Sequence, residues 1–339
     1  MIAPALLSEV LLEVRDLVKT FPVTRGSIMH RRVGRIQAVS GVTLDIHRGE
    51  TLGLVGESGC GKTTLGRLMV ALGRPDSGTI HFMGDDLFGL SRRALRDRRR
   101  HLQLMFQDPY ASLDPRMRVL DIVTEPLVVQ RLGGRTERAL RGRALLEEVG
   151  LAPRSADRYP HEFSGGQRQR IGLARALALN PTVVVADEPV SALDVSVRAQ
   201  VLNLMSRLQQ THGLTYIVIS HDLSVVRYLA DRIAVMYLGK IVELGPSHTI
   251  FERAGHPYTA ELLNAVPVPI PSVERAKVGK AVLGEVPSAA DPPSGCRFRT
   301  RCPLAQAVCA EVEPPLRVLR TGQQVACHFP LQAAGQVKP

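Results

Sequence analysis

Residues Thr51–Thr64 read TLGLVGESGCGKTT. The first five have the length and unbroken apolar character of a buried strand. The next nine, Gly56-Glu57-Ser58-Gly59-Cys60-Gly61-Lys62-Thr63-Thr64, satisfy G-x-x-x-x-G-K-[ST]. Leu65, Leu68, Met69 and Leu72 then recur at helical spacing, and Gly73 and Pro75 are expected to stop that helix. A strand, a glycine-rich turn and a helix in this order make a phosphate cradle. The glycines let successive N–H groups curl toward phosphate oxygens, and the helix start adds its positive dipole end. Lys62 is expected to reach the β- and γ-phosphates and the Thr63 hydroxyl to ligate Mg²⁺.

Outward from this loop, strands alternate with helices, which predicts an α/β fold around a parallel sheet. Val42, Leu44 and Ile46 alternate with polar residues like a half-buried strand, Thr182–Ala186 and Leu214–Ser220 read as buried strands, and Val197–Gln210 reads as an amphipathic helix. Ile233–Tyr237 leads into a hairpin through Gly239-Lys240. Residues 91–165 are dominated by helical segments, among them Glu137–Val149 with Gly150 as its cap, and read as a helical insertion.

Four further sites carry chemistry. Val183–Glu188 is an apolar strand ending in two carboxylates; Asp187 is assigned to the metal and Glu188 to the attacking water. In Phe163-Ser164-Gly165-Gly166-Gln167, Ser164 caps a helix whose glycines expose N–H groups, a second anion-binding helix start. One lysine-bearing loop with two such surfaces suggests that the second serves a nucleotide held by another chain. Gln107 (in MFQDP) and His221 (in VISHD) follow strands and are placed to face the γ-phosphate.

In this order the motifs resemble the ATPase subunit of an ATP-binding cassette transporter over residues 10–265. GESGCGKTT resembles the Walker A loop, Gln107 the Q-loop, FSGGQRQR the signature, VVVADEP Walker B, Ser191–Asp194 (SALD) the D-loop, and His221 the switch histidine. Phe21 aligns with the aromatic residue that stacks on adenine. The signature opens with Phe163 where leucine is commoner, a departure that touches no phosphate contact. The resemblance implies a P-loop fold with an antiparallel β subdomain and ATP held by Phe21 and Gly56–Thr64. It implies Mg²⁺ bound by Thr63, Gln107 and Asp187, and catalysis by Lys62, Gln107, Glu188 and His221. It also implies that Ser164, Gly165, Gly166, Gln167 and Asp194 meet nucleotide across a dimer of cassettes.

A narrower resemblance is to ATPase subunits of bacterial oligopeptide and dipeptide permeases. It rests on GRIQAVSGVTLDIHRGETLGLVGESGCGKTTLGR, on MFQDPYASLDPRM, on YPHEFSGGQRQR and on a proline-rich, cysteine-bearing tail at 266–335. This implies a peripheral protein on the cytoplasmic face, a second ATPase chain forming a heterodimer, two transmembrane permease subunits and an extracytoplasmic binding protein. It also places Tyr110–Arg118 against the permease. Exporter cassettes and non-transport cassettes acting on DNA or ribosomes are the alternatives, but a single Walker A loop and the lack of a long heptad run argue against the latter.

Composition fits these expectations without deciding among them. No apolar run reaches the ~18–20 residues that cross a bilayer, and the first residues lack the basic start of a secretion signal. Net charge is +11, and Ser91–His101 alone holds six arginines, read as a solvated helix face; no nucleic-acid partner is expected. A linker is expected at roughly 265–290, leading to the small tail. Cys296, Cys302, Cys309 and Cys327 lie there without a C-x-x-C pair, so ordinary zinc-ribbon spacing is missing. Four thiolates in a short segment can bind a metal. The permease resemblance favours a [4Fe–4S] cluster, with zinc or free thiols as the alternatives.

Overall fold

The computed structural model describes residues 9–25, 31–107, 112–266 and 285–331. Two sheets organise it. The first is antiparallel, in the order β2 (Arg31–His47), β1 (Val10–Arg25), β4 (Ser77–Phe82), β5 (Asp85–Asp86). The second is built on five strands, β6 (Leu102–Met105), β7 (Val183–Asp187), β8 (Thr215–Ser220), β3 (Thr51–Val55) and β9 (Arg232–Tyr237), paired in parallel in that order. β3, β7 and β8 are buried along their whole length, as expected for strands covered on both faces.

Two apolar layers flank the parallel strands. On one side Val14, Leu17, Val39, Val42, Leu44, Ile46 and Phe82 of the antiparallel sheet pack on helix α1 (Lys62–Met69) and on Leu52, Leu54 and Ile217. On the other, helices α3 (Val119–Val129), α4 (Arg135–Glu148), α5 (Gly165–Leu177) and α6 (Val195–His212) enclose a core around Ile122, Leu145, Ile171 and Met205. Block 91–165 therefore holds α3 and α4 together with α2 (Arg92–Arg98) and one strand of the central sheet, β6. The helix after the phosphate loop stops earlier than Gly73: it ends at Met69, and Ala71 turns left-handed at φ +56°. Gly150 (φ +76°) and Gly213 (φ +62°) close α4 and α6 as glycine caps.

After β8 the chain runs through α7 (Leu223–Leu229) and β9, turns at Gly239, and returns antiparallel as β10 (Lys240–Pro246). Two short helices follow, α8 (Ser247–Glu252) and α9 (Pro257–Asn264). Most of the expected linker, 267–284, lies outside the described residues. Beyond it come α10 (Val308–Glu311), β11 (Arg317–Val318) and β12 (Gln324–Val325). β12 pairs with β10, Val325 opposite Glu243, so the tail extends the central sheet instead of standing apart. Arg297 fastens it from another direction: its Nη2 donates to Gln37 Oε1 at 2.7 Å and to Ser40 Oγ at 2.8 Å.

Candidate functional site

The parallel register sets the site. Val55 pairs with Ser220 and Asp187 with Ile219, so Gly56, Glu188 and His221 leave the carboxyl ends of three adjacent strands. Ligands of open α/β sheets bind at such an edge. Met105 pairs with Ala186, which brings Gln107 level with Glu188; its side chain is exposed.

The phosphate loop is held by backbone contacts that only glycine permits. Gly56 has φ +152°, and a Cβ there would lie 2.1 Å from the Met236 carbonyl oxygen. Gly61 has φ +109°, and its Cβ would lie 1.9 Å from the Ala38 carbonyl oxygen. Lys62 is buried inside the loop, its Nζ donating to the carbonyls of Gly56 at 2.7 Å and Glu57 at 2.9 Å. Burial pushes the neighbouring Cys60 thiol up, which keeps it protonated. The contact with Ala38 also locates Phe21. It pairs with Ile36, two residues before Ala38, and is 43% exposed.

The Thr63 hydroxyl donates to Asp187 Oδ1 at 3.1 Å. Asp187 is buried, and that burial raises its carboxyl above the ordinary range. A buried carboxylate beside a hydroxyl is a poor resting state without a cation and a suitable pair of ligands for Mg²⁺, which takes few protein oxygens and completes its shell with phosphates and water. Glu188 follows with φ +51°, a left-handed conformation that costs energy for a residue with a Cβ. The twist turns its carboxylate onto His221, whose backbone N–H donates to Oε1 at 3.2 Å and whose Nδ1 lies 2.7 Å from the same oxygen. A carboxylate fixed in this way, with only 9% of its side chain exposed, can take a proton from a positioned water.

The second anion-binding helix start lies in a different layer. Ser164 Oγ accepts from Gln167 N at 3.3 Å and Gln167 Oε1 accepts from Ser164 N at 3.0 Å, a complete capping box. Gly166 is required by close packing, since a Cβ would lie 2.2 Å from Val197 Cγ1. Phe163 is buried, with the Arg158 guanidinium 4.7 Å from its ring centroid, so the unusual signature residue serves local packing. α5 packs on α3, α4, α6 and β6, whereas α1 packs on β2, β7 and β8. Asp194 caps α6 at the edge of the same helical layer. The site thus unites Gly56–Thr64, Asp187, Glu188 and His221, while Ser164–Gln167 stand in the helical layer.

Two contributors had no signal in the sequence. Tyr258 Oη accepts from Glu57 N at 2.8 Å, from a residue 201 positions away. Arg301 grips the Glu57 carboxylate from 244 positions away.

The cysteine expectation gains a shared cavity and no more. Cys296, Cys302, Cys309 and Cys327 line one small cavity with His256 and Phe298. Yet among the described residues no group of three or more His, Cys, Asp or Glu side chains is placed to hold a metal ion. Burial raises the Cys296, Cys302 and Cys327 thiols, the last to about 11. The [4Fe–4S] cluster, and zinc in its place, find no support in this arrangement.

Solved structures define the class. The chain resembles the ATP-binding cassette MJ0796 in a dimeric post-hydrolysis state bound to ADP and Pi, with TM-score 0.61 and 29% identity over 70% of this chain and 99% of that one. It also resembles cbiO1 from Clostridium perfringens, part of the ABC transporter complex cbiONQ, with TM-score 0.63 and 25% identity over 79% and 99%. This is a cassette ATPase. The ABC transporter family model matches residues 39–191, and the model for the oligopeptide/dipeptide transporter C-terminal region matches residues 242–309. The oligopeptide transport ATP-binding protein AppF of Bacillus subtilis is 51% identical over 95% of this chain and 98% of its own length. A putative peptide import ATP-binding protein of Brucella ovis is 51% identical over 94% and 97%. The chain belongs to the family of peptide ABC-transporter ATP-binding proteins.

Proposed function

We propose that this chain binds and hydrolyses ATP to power import of peptides through a membrane permease. The observation that carries the reading is Glu188, fixed by His221 at the sheet edge that also presents Lys62 and the Thr63–Asp187 pair. Phe21 stacks on adenine, Gly56–Thr64 cradle the phosphates and Lys62 contacts the β- and γ-phosphates. Thr63, Asp187 and Gln107 would hold Mg²⁺, which would neutralise charge on the phosphates. Water attacks the γ-phosphorus, its proton passes to the Glu188 carboxylate, and the bond to the ADP oxygen breaks.

Ser164, Gly165, Gly166, Gln167 and Asp194 serve the nucleotide of a second cassette chain. Two transmembrane permease subunits hold the pair at the cytoplasmic face of the membrane, and an extracytoplasmic binding protein delivers the peptide. Among the described residues no helix is long and apolar enough to cross a membrane, which agrees with a peripheral place. The permease contact is assigned to Tyr110–Arg118. Tyr110 and Ala111 lie outside the described residues, and Arg116 stands exposed against Asp114 at 3.0 Å.

In the assembled transporter, Lys62→Ala is expected to weaken ATP binding at least about tenfold, from the ~1.5–3 kcal/mol of a hydrogen bond to a charged group, and to stop ATP-driven peptide uptake in vesicles. Uptake at the wild-type rate would refute the reading. A metal at the four cysteines rests only on their shared cavity and would require the sulfurs to draw inward as thiolates. Iron, labile sulfide and zinc analysis of anaerobically prepared protein decides it; stoichiometric iron with sulfide supports the cluster, and absence of all three refutes any metal.

A further inference from the structure

Glu57 is an awkward residue for its position. Its carboxylate belongs to the loop that receives the negative charges of ATP, and like charges there cost binding energy. The structure answers it from the far end of the chain. Arg301 Nη1 donates to Glu57 Oε2 at 2.8 Å and Nη2 to Oε1 at 2.9 Å, a two-pronged pair in which the arginine side chain is only 4% exposed. Such a fork fixes direction as well as charge. The guanidinium is itself held, with its carbon 5.8 Å from the ring centroids of both Tyr237 and Phe298.

The surroundings converge on the same short stretch of loop. Tyr258 Oη takes the Glu57 N–H, and Tyr258 packs against Tyr237 at 4.6 Å and Phe298 at 5.4 Å between ring centroids. Val286, Pro287 and Ala289 face Glu57, Ser58 and Cys60 across a cavity on the loop's outer side. Arg297, four residues before Arg301, donates to the Leu238 carbonyl, and Gly239 N donates to the Cys60 carbonyl at 2.8 Å. Three anchors from the tail and its aromatic neighbours thus press on the loop, and only Arg301 carries charge into it.

We infer that Arg301 is a positioning residue for ATP binding: by neutralising and orienting Glu57, the cysteine-bearing tail sets the nucleotide affinity of the phosphate loop. This rests on the reading that Gly56–Thr64 bind ATP. It makes the tail a part of the nucleotide site, although no residue of the tail needs to touch ATP.

The test is equilibrium binding of ATP to the full chain by calorimetry, with urea unfolding to confirm that each variant is folded. Arg301→Ala is expected to raise the dissociation constant about tenfold, the scale of one uncompensated charge at a partly exposed site. In a Glu57→Gln background the same substitution is expected to change it less than about twofold, because the loop carboxylate that Arg301 neutralises is gone. Arg301→Lys keeps the charge and should recover most of the affinity. If Arg301→Ala fails to fold, Arg301→Gln against Arg301→Lys makes the same comparison.

Three results would overturn the inference: wild-type affinity in the uncharged variant, an equal loss in the Glu57→Gln background, or a lysine variant as weak as the uncharged one. The second is what a purely structural staple predicts. Lys62→Ala run alongside separates the two readings. If it binds ATP normally, the phosphate-loop assignment fails and the inference with it. If it binds weakly while Arg301→Ala does not, only the inference fails.

Discussion

Glu188→Gln is expected to lower ATP turnover by about 10²–10⁴-fold, the range for removal of a general base, and to leave ATP binding in place. Glutamine is nearly the same shape as glutamate, so it can still accept the His221 N–H bonds that hold Glu188 at 3.2 and 2.7 Å. What it cannot do is accept the proton of the attacking water. The loop contacts of Lys62 and the Thr63–Asp187 pair are untouched, so the nucleotide remains bound on a chain that cannot cleave it. Turnover and equilibrium binding in the assembled transporter check both halves. Turnover within threefold of wild type would remove Glu188 from its role; a matching loss of binding would make it a structural residue instead.

The contrast between Glu188 and Arg301 shows what the sequence could and could not disclose. The phosphate loop was legible because its chemistry is local: strand, glycines, lysine and helix follow one another, and Gly56 and Gly61 are glycines for reasons of backbone space that the motif already encodes. Asp187 and Glu188 were legible as a strand ending in carboxylates. The left-handed turn at Glu188, which aims it at His221, was not, since a non-glycine residue carries no mark of positive φ. Strand periodicity found Val42, Leu44 and Ile46, but not the full lengths of β1 and β2, which run beyond the half-buried stretch and shift register at bulges. β12 is two residues long and has no periodicity to read; it is a strand because β10 offers it an edge. The Arg301–Glu57 pair spans 244 positions, a separation at which only the folded chain brings the partners together. The cysteines are a different case. Their number suggested a metal, while the folded tail gathers them around one cavity in which, among the described residues, no metal-holding group forms.

Separation of the two anion-binding helix starts leads to the other large expected effect. The first N–H groups of a helix have no partner within it. At α1 they face the chain's own phosphate loop; at α5 they sit beside exposed Ser164, on a helix packed against α3, α4 and α6. Neither start can move to the other without dismantling a core layer, so under the proposed function a nucleotide on the loop takes its second set of donors from another cassette. The isolated chain is therefore expected to hydrolyse ATP roughly 10²–10³-fold more slowly than the assembled transporter, the scale seen when a preorganised donor is taken from a transition state. Ser164→Glu sharpens the test. A carboxylate at that helix start is itself drawn to the positive end of the dipole, so it cancels the potential offered to phosphate and repels the γ-phosphate of the neighbouring cassette. Turnover of the assembly should fall by a similar factor while the isolated variant binds ATP on its own loop as wild type does. Turnover by dilute monomer within threefold of the complex, or loss of the variant's own ATP binding, would mean that each chain completes its site alone.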